Sequence, residues 1–143
     1  MRQVLITLLL SSSPAVAWEF TPTPVCTLSH MTPQADLRVT YDPRQEQPYA
    51  IAISRQQAWP DASTFSMRFD GPRGLTITTN RQTLTENGRT LTVTDRGFGN
   101  VLNGLEFNTT ATALFDDIEV PFPLDGAASA VQAFRACATA PTA

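Results

Sequence analysis

Apolar and polar residues alternate with a period of two along most of this chain. Tyr49, Ile51 and Ile53 share one face of a run whose other face is Ala50 and Ala52. Phe65, Met67 and Phe69 alternate with Ser66 and Arg68, and Leu75 and Ile77 alternate with Thr76 and Thr78. Such a period points one face of a strand at a core and the other at solvent. Shorter runs repeat the pattern at Cys26, Leu28 and His30, and at Leu37, Val39 and Tyr41. Thr83 to Thr85 and Thr90 to Thr94 form a threonine-rich pair with Leu91 and Val93 facing inward, and β-branching suits both to strands. Near the C-terminus Ala111, Ala113 and Phe115 oppose Thr110, Thr112 and Leu114. Ile118, Val120, Phe122 and Leu124 then alternate with Glu119, Pro121 and Pro123. Proline cannot donate to a ladder, so this last strand is expected at a sheet edge.

Turn chemistry punctuates the runs. Asp70-Gly71-Pro72-Arg73-Gly74 predicts one hairpin. Glu86-Asn87-Gly88 predicts another, and Asp116-Asp117 a third. Two stretches change period. Phe98, Val101, Leu102 and Leu105 fall at i, i+3, i+4 and i+7, which predicts a short helix stopping at Gly104, with the next strand starting at Glu106 or Phe107. Ala127, Val131, Phe134 and Cys137 share one helical face. Asp125 is the expected N-cap of that helix, and Arg135 sits where a cation suits its C-terminal end. The arm from Trp18 to Pro24 is broken by prolines, leaving Trp18 and Phe20 either capping the core or loose. The sum is mainly β: an antiparallel sandwich or barrel-like sheet of about seven to nine strands, a short internal helix and a C-terminal helix.

The first seventeen residues do not belong to that pattern. Arg2, the apolar run Val4 to Leu10, the break at Ser11 to Pro14 and the small-x-small triplet Ala15-Val16-Ala17 read as an export signal cleaved before Trp18. The run is far shorter than the ~20 residues of a membrane-spanning helix. Removing 17 of 143 residues leaves 126, one domain's worth. An exported domain with two cysteines near its ends, Cys26 and Cys137, is expected to join them in a disulfide. The loop so closed is about 110 residues, for which lost chain entropy gives about 4.7 kcal/mol. The Ala/Thr/Pro tail after Cys137 is expected to fray.

Charge and chemistry add exclusions. All ten cations are arginines; without Arg2, nine face thirteen acids, a net −4. That is no electrostatic footprint for nucleic acid. The missing lysine removes Schiff-base and Walker-type phosphate chemistry. His30 is the only histidine and sits in no nucleophile signature; two cysteines and one histidine without ligand spacing make no metal site. Asp116-Asp117 belongs to a turn, where aspartate is favoured for backbone reasons. Asn108-Thr109-Thr110 fits the N-glycosylation pattern. No catalytic, cofactor-binding or metal residue is assigned, and no cofactor is expected. Loops holding Trp59, Arg73, Arg96 and Phe98 are the candidates for recognition.

The segment Gly99 to Gly104, the strand after it, and Val120-Pro121-Phe122-Pro123-Leu124-Asp125-Gly126-Ala127 opening an alanine-rich helix resemble the C-terminal half of the invasion-associated locus B family. The resemblance covers about forty residues. It implies a small β-sandwich with a periplasmic or secreted address in a Gram-negative bacterium, and no agreed biochemical activity. The expected function is therefore a non-enzymatic binding or interaction protein of the bacterial cell envelope, whose partner is another envelope or secreted protein. The alternative is an inhibitor of an exported hydrolase, a protease or lysozyme, acting through a protruding loop at Arg55 to Ser63 or Asp70 to Gly74.

Overall fold

In the computed structural model the described residues are 17–140. The expected export signal therefore lies outside them, Ala17 excepted, as do the last three residues. The described chain forms ten antiparallel strands in two open sheets, with two helices. The sandwich expectation holds and the barrel does not.

One sheet has six strands. Its members are β1 (Glu19–Thr21), β2 (Cys26–Met31), β3 (Asp36–Tyr41), β4 (Tyr49–Ser54), β8 (Thr90–Asp95) and β7 (Thr83–Thr85), in that order across the sheet. The second sheet has four: β10 (Ile118–Pro123), β9 (Thr110–Phe115), β5 (Phe65–Asp70) and β6 (Leu75–Thr79). The register follows the alternation. Leu28, Val39, Ile51 and Val93 lie in one row across four strands, and all face inward. Met67 pairs with Ala113 and Ile77 on the opposing sheet. A one-residue slip would turn each of these apolar rows to water, so the burial pattern fixes the pairing.

β10 is an edge strand, as its prolines require. β1 is the tenth strand, where the reading of the sequence had only an arm. It pairs Phe20 with Leu28, and Trp18 ahead of it is buried. In the hairpin between β7 and β8, Glu86, Asn87 and Gly88 all take positive φ, at 55°, 59° and 81°.

Helix α1 spans Gly99–Phe107 and α2 spans Ala127–Ala138. Two expectations about them are corrected. α1 does not stop at Gly104, and β9 starts at Thr110 rather than at Glu106 or Phe107. A Cβ on Gly104 would stand 2.5 to 2.6 Å from three atoms of the Phe69 ring, so this glycine is there for close approach of helix to sheet. α2 is not capped by Asp125. Its N-cap is Gly126 in the left-handed region, φ 77°, with no side-chain hydrogen bond, and Ala127 N–H donates to Leu124 C=O. Arg135 lies in the last turn of α2, as expected, and also bonds Glu106 and Asn103 of α1 at 2.9 and 2.7 Å.

Cys26 and Cys137 are joined, with Cα atoms 6.0 Å apart and a sequence separation of 111. The bond ties the start of β2 to the end of α2. Among the described residues no helix is long and apolar enough to cross a membrane.

Candidate functional site

The four recognition candidates end up in different places. Trp59 is only 4% exposed; its indole N–H donates to Ile53 C=O at 3.1 Å, and its ring meets Phe115 edge-on at 6.0 Å. The loop from Arg55 to Ser63 therefore does not display this ring. It tucks the ring under the sandwich, with the Arg55 guanidinium 4.8 Å above it. The physical reason is the size of the apolar ring, which gains more from the core than from water. Phe98 is also turned inward, 5% exposed and 5.5 Å from the Tyr49 ring. Burial pushes the Tyr49 phenol above its ordinary pKa, with neighbouring Tyr41 adding to the shift. Arg73 is on the surface, but its guanidinium lies 4.2 Å over the Phe107 ring of its own chain. Arg96 alone is displayed freely, 77% exposed, with Glu46 at a loose 3.8 Å.

The loop Asp70 to Gly74 is held by Asn108. The Asn108 side-chain oxygen accepts from Arg73 N–H at 2.9 Å, and its amide donates to Arg73 C=O and Gly104 C=O at 3.0 Å each. Thr109 donates twice to Asp70 C=O, through its N–H and its hydroxyl. Asn108 is 9% exposed and its side-chain nitrogen is used in two hydrogen bonds, so the folded chain does not present it as a glycosylation acceptor.

His30 is buried and stacked on Trp18, rings 4.6 Å apart and 9° from parallel. Its Nδ1 has no hydrogen-bond partner among the described residues. Trp18 Nε1–H in turn donates to Pro123 C=O at 2.8 Å. His30 is thus part of the seal between β1 and β10. Asp116 and Asp117 form the β9–β10 turn, Asp116 with φ 56°. Among the described residues no group of three or more His, Cys, Asp or Glu is placed to hold a metal ion.

What reading the sequence missed is a cleft between the two sheets. It encloses about 480 Å³ at the flank where β6, β8 and the start of α1 meet. That lies within the roughly 300–1,000 Å³ of small-ligand sites. Core residues of both sheets border it, Ile51 and Val93 from one and Phe65 and Met67 from the other, each less than a tenth exposed. Phe98, Ile77 and Val101 complete an apolar lining. Each is an inward residue of its element, so the same alternation that builds the core also makes the cleft. The two charged side chains of the lining, Arg81 and Asp95, are bonded to each other at 3.0 Å at its rim. Asp95 also accepts from Arg96 N–H at 2.7 Å. Gly97, Gly99 and Asn100 bring exposed backbone to the same rim. The cleft can hold an apolar group with a polar end at its mouth. Of the four recognition candidates, only Phe98 lines it, with Arg96 two residues away in the same loop.

No protein-family model, no curated protein and no solved structure matches this chain.

Proposed function

We propose that this protein is a non-enzymatic binding protein of the bacterial cell envelope, and that it binds an apolar ligand in the cleft between its sheets. The observation that carries this reading is the cleft, an apolar space of about 480 Å³ bordered by both sheets and left open at one flank. The lining of this cleft is mostly apolar, which suits an apolar occupant. The export signal, the disulfide and the resemblance to the invasion-associated locus B family support a periplasmic or secreted address.

The test uses the mature chain and the uncharged fluorescent probe N-phenyl-1-naphthylamine. Saturable fluorescence enhancement is expected, and it should be abolished in Ile77→Trp, whose larger ring fills the cleft from its half-buried rim position. An unchanged titration in a folded Ile77→Trp protein would remove the cleft as the binding site. A second reading, the inhibitor of an exported hydrolase, is favoured by one observation: the Asp70 to Gly74 loop is locked from both sides by Asn108 and Thr109. Inhibition of a trypsin-like protease or a lysozyme by the mature chain, lost on Asn108→Ala, would establish it.

A further inference from the structure

The four sheet edges of this sandwich are not finished alike. β10 carries Pro121 and Pro123, and β1 and β7 are each three residues long. Prolines and very short edge strands are ordinary means of keeping another chain from pairing at an edge. β6 has neither. It runs Leu75-Thr76-Ile77-Thr78-Thr79, without a proline or a charge, and all but Leu75 are β-branched. Among the described residues it pairs with β5 alone, so the backbone N–H and C=O groups along its other side have no backbone partner.

Its side chains show the same gap. Leu75, Ile77 and Thr79 stand opposite Phe69, Met67 and Phe65 of β5. The β5 members are 1–3% exposed, whereas those of β6 are only half-buried. Ile77 and Thr79 border the cleft at this edge, and half-buried Val101 of α1 belongs to the same lining. A strand laid beside β6 would bond to the open side of the ladder and set every second side chain on the face that Ile77 occupies.

We infer that the β6 edge takes an extended segment of a partner polypeptide as a fifth, antiparallel strand of its sheet, with an apolar side chain beside Ile77 at the mouth of the cleft and an acidic residue near Arg73. The side-chain placement rests on the cleft being the binding site; the strand pairing goes beyond it. Charge selects the partner. Asp70 and Asp95, near the two ends of β6, are held by Arg68 and Arg81 at 3.1 and 3.0 Å. Arg73, exposed just before the strand and resting over Phe107, has no acidic partner among the described residues. A second copy of this chain fits less well. Pairing two β6 strands about Ile77 sets Arg73 of one against Arg81 of the other, and like charges opposite each other destabilise a ladder. Two such short edges also bury well under the roughly 1,200 Å² of a stable interface.

The experiment adds the synthetic peptide acetyl-Thr-Val-Thr-Ile-Thr-Val-Thr-Glu amide to the mature chain and reads amide hydrogen exchange residue by residue. Alternate amides within Leu75–Thr79 should slow about tenfold at a peptide concentration of ten times Kd, with β1, β7 and β10 unchanged. The peptide should displace N-phenyl-1-naphthylamine. Lysine in place of the glutamate should weaken binding about two- to fivefold, the worth of one exposed ion pair. Arg73→Gln should remove that preference; Asn108 bonds the backbone of this residue, so the loop keeps its hold.

No protection along β6 would overturn the inference, and naphthylamine binding still sensitive to Ile77→Trp would show the cleft reading intact. Protection of β6 with the naphthylamine undisplaced, or never bound, would overturn the placement at the mouth. Equal binding of the glutamate and lysine peptides would overturn the acidic residue at Arg73. Protection of β6 in the chain alone, rising with protein concentration, would make a second copy the occupant and overturn the partner assignment.

Discussion

The two flanks of this sandwich are built to opposite ends. At one, β1, β2, α2 and β10 meet and are closed by an indole hydrogen bond and a disulfide, with an open space of about 440 Å³ left beside the sulfurs. Trp18 reaches from the arm before β1 to Pro123 C=O on the other sheet, and His30 stacks beneath it. The Cys26–Cys137 bond pins α2 to β2 at the same flank. At the other flank β6, β8 and α1 approach and leave about 480 Å³ between them. The contrast is not one of residue type, since both flanks are lined by apolar side chains. It is one of ties: a disulfide and an indole hydrogen bond cross the first flank, and a surface ion pair, Arg81 with Asp95, sits at the second.

Opening the closed flank should have the largest effect. Trp18→Ala removes a buried indole and leaves Pro123 C=O without its donor, at a cost of about 3–5 kcal/mol by urea denaturation. Hydrogen exchange should speed up along β1 and β10 and stay slow along β8. If both flanks loosen together, the two are one cooperative unit and the contrast is only geometric.

The disulfide comes next. Cys26→Ala with Cys137→Ala should lower stability by about 2–5 kcal/mol. The enhancement of N-phenyl-1-naphthylamine fluorescence should persist wherever the double variant is still folded, because the bond and the cleft are on different flanks. Loss of probe binding in a folded double variant would show that the staple also shapes the cleft.

α1 allows a sharper comparison within one helix. Gly104→Ala drives a methyl into the Phe69 ring, which is fixed in the core, and should destabilise by about 1–3 kcal/mol through overpacking. Gly99→Ala, five residues earlier and facing open space, should be neutral or stabilise by up to about 1 kcal/mol from helix propensity. Thermal melts of the two variants should therefore shift in opposite directions, or one should not shift at all. Equal shifts would mean that Gly104 is not pressed against the sheet.

These elements also show what could be read from the sequence. The alternation at Phe65–Met67–Phe69 and Tyr49–Ile51–Ile53 is a direct image of burial, so strands, faces and hairpins were legible. Pro121 and Pro123 placed β10 at an edge for a backbone reason that needs no partner. Gly104 misled, because a glycine that ends a helix and one that lets a helix lie on a phenylalanine look alike in one dimension. Asp125 misled in a similar way, since Gly126 took the cap position through its own positive φ. Trp59 and Phe98 stand in loops by pattern yet are buried, because a large ring in a loop is as free to fold under the sheets as to face solvent. The cleft left no signal at all. Inward positions such as Val93 and Ile77 read the same whether they meet another side chain or an open space, and only the relation of the two sheets decides between these.

The smallest effect belongs to a charge on the closed flank. Asp42, beside Cys26 and Cys137, has its carboxylate pKa lowered from 3.8 to about 2. The main cause is the Arg44 side chain, which donates from Nε and Nη2 at 3.0 and 3.1 Å. The Arg44 backbone N–H and the Gln45 amide add to it. A carboxylate whose folded pKa lies below its unfolded value contributes stability above the unfolded one and loses it as pH falls through the folded one. The window is therefore between about pH 4 and pH 2, and the contribution at this solvent-facing loop is small. A carbon-detected NMR titration of Asp42 should give a midpoint near 2, and Arg44→Gln should raise it toward 3.8. The turn from Asp42 to Pro48 should loosen in that window while the disulfide beside it still holds the flank shut. If the whole closed flank opens with Asp42, its closure depends on this loop as well as on sulfur and indole.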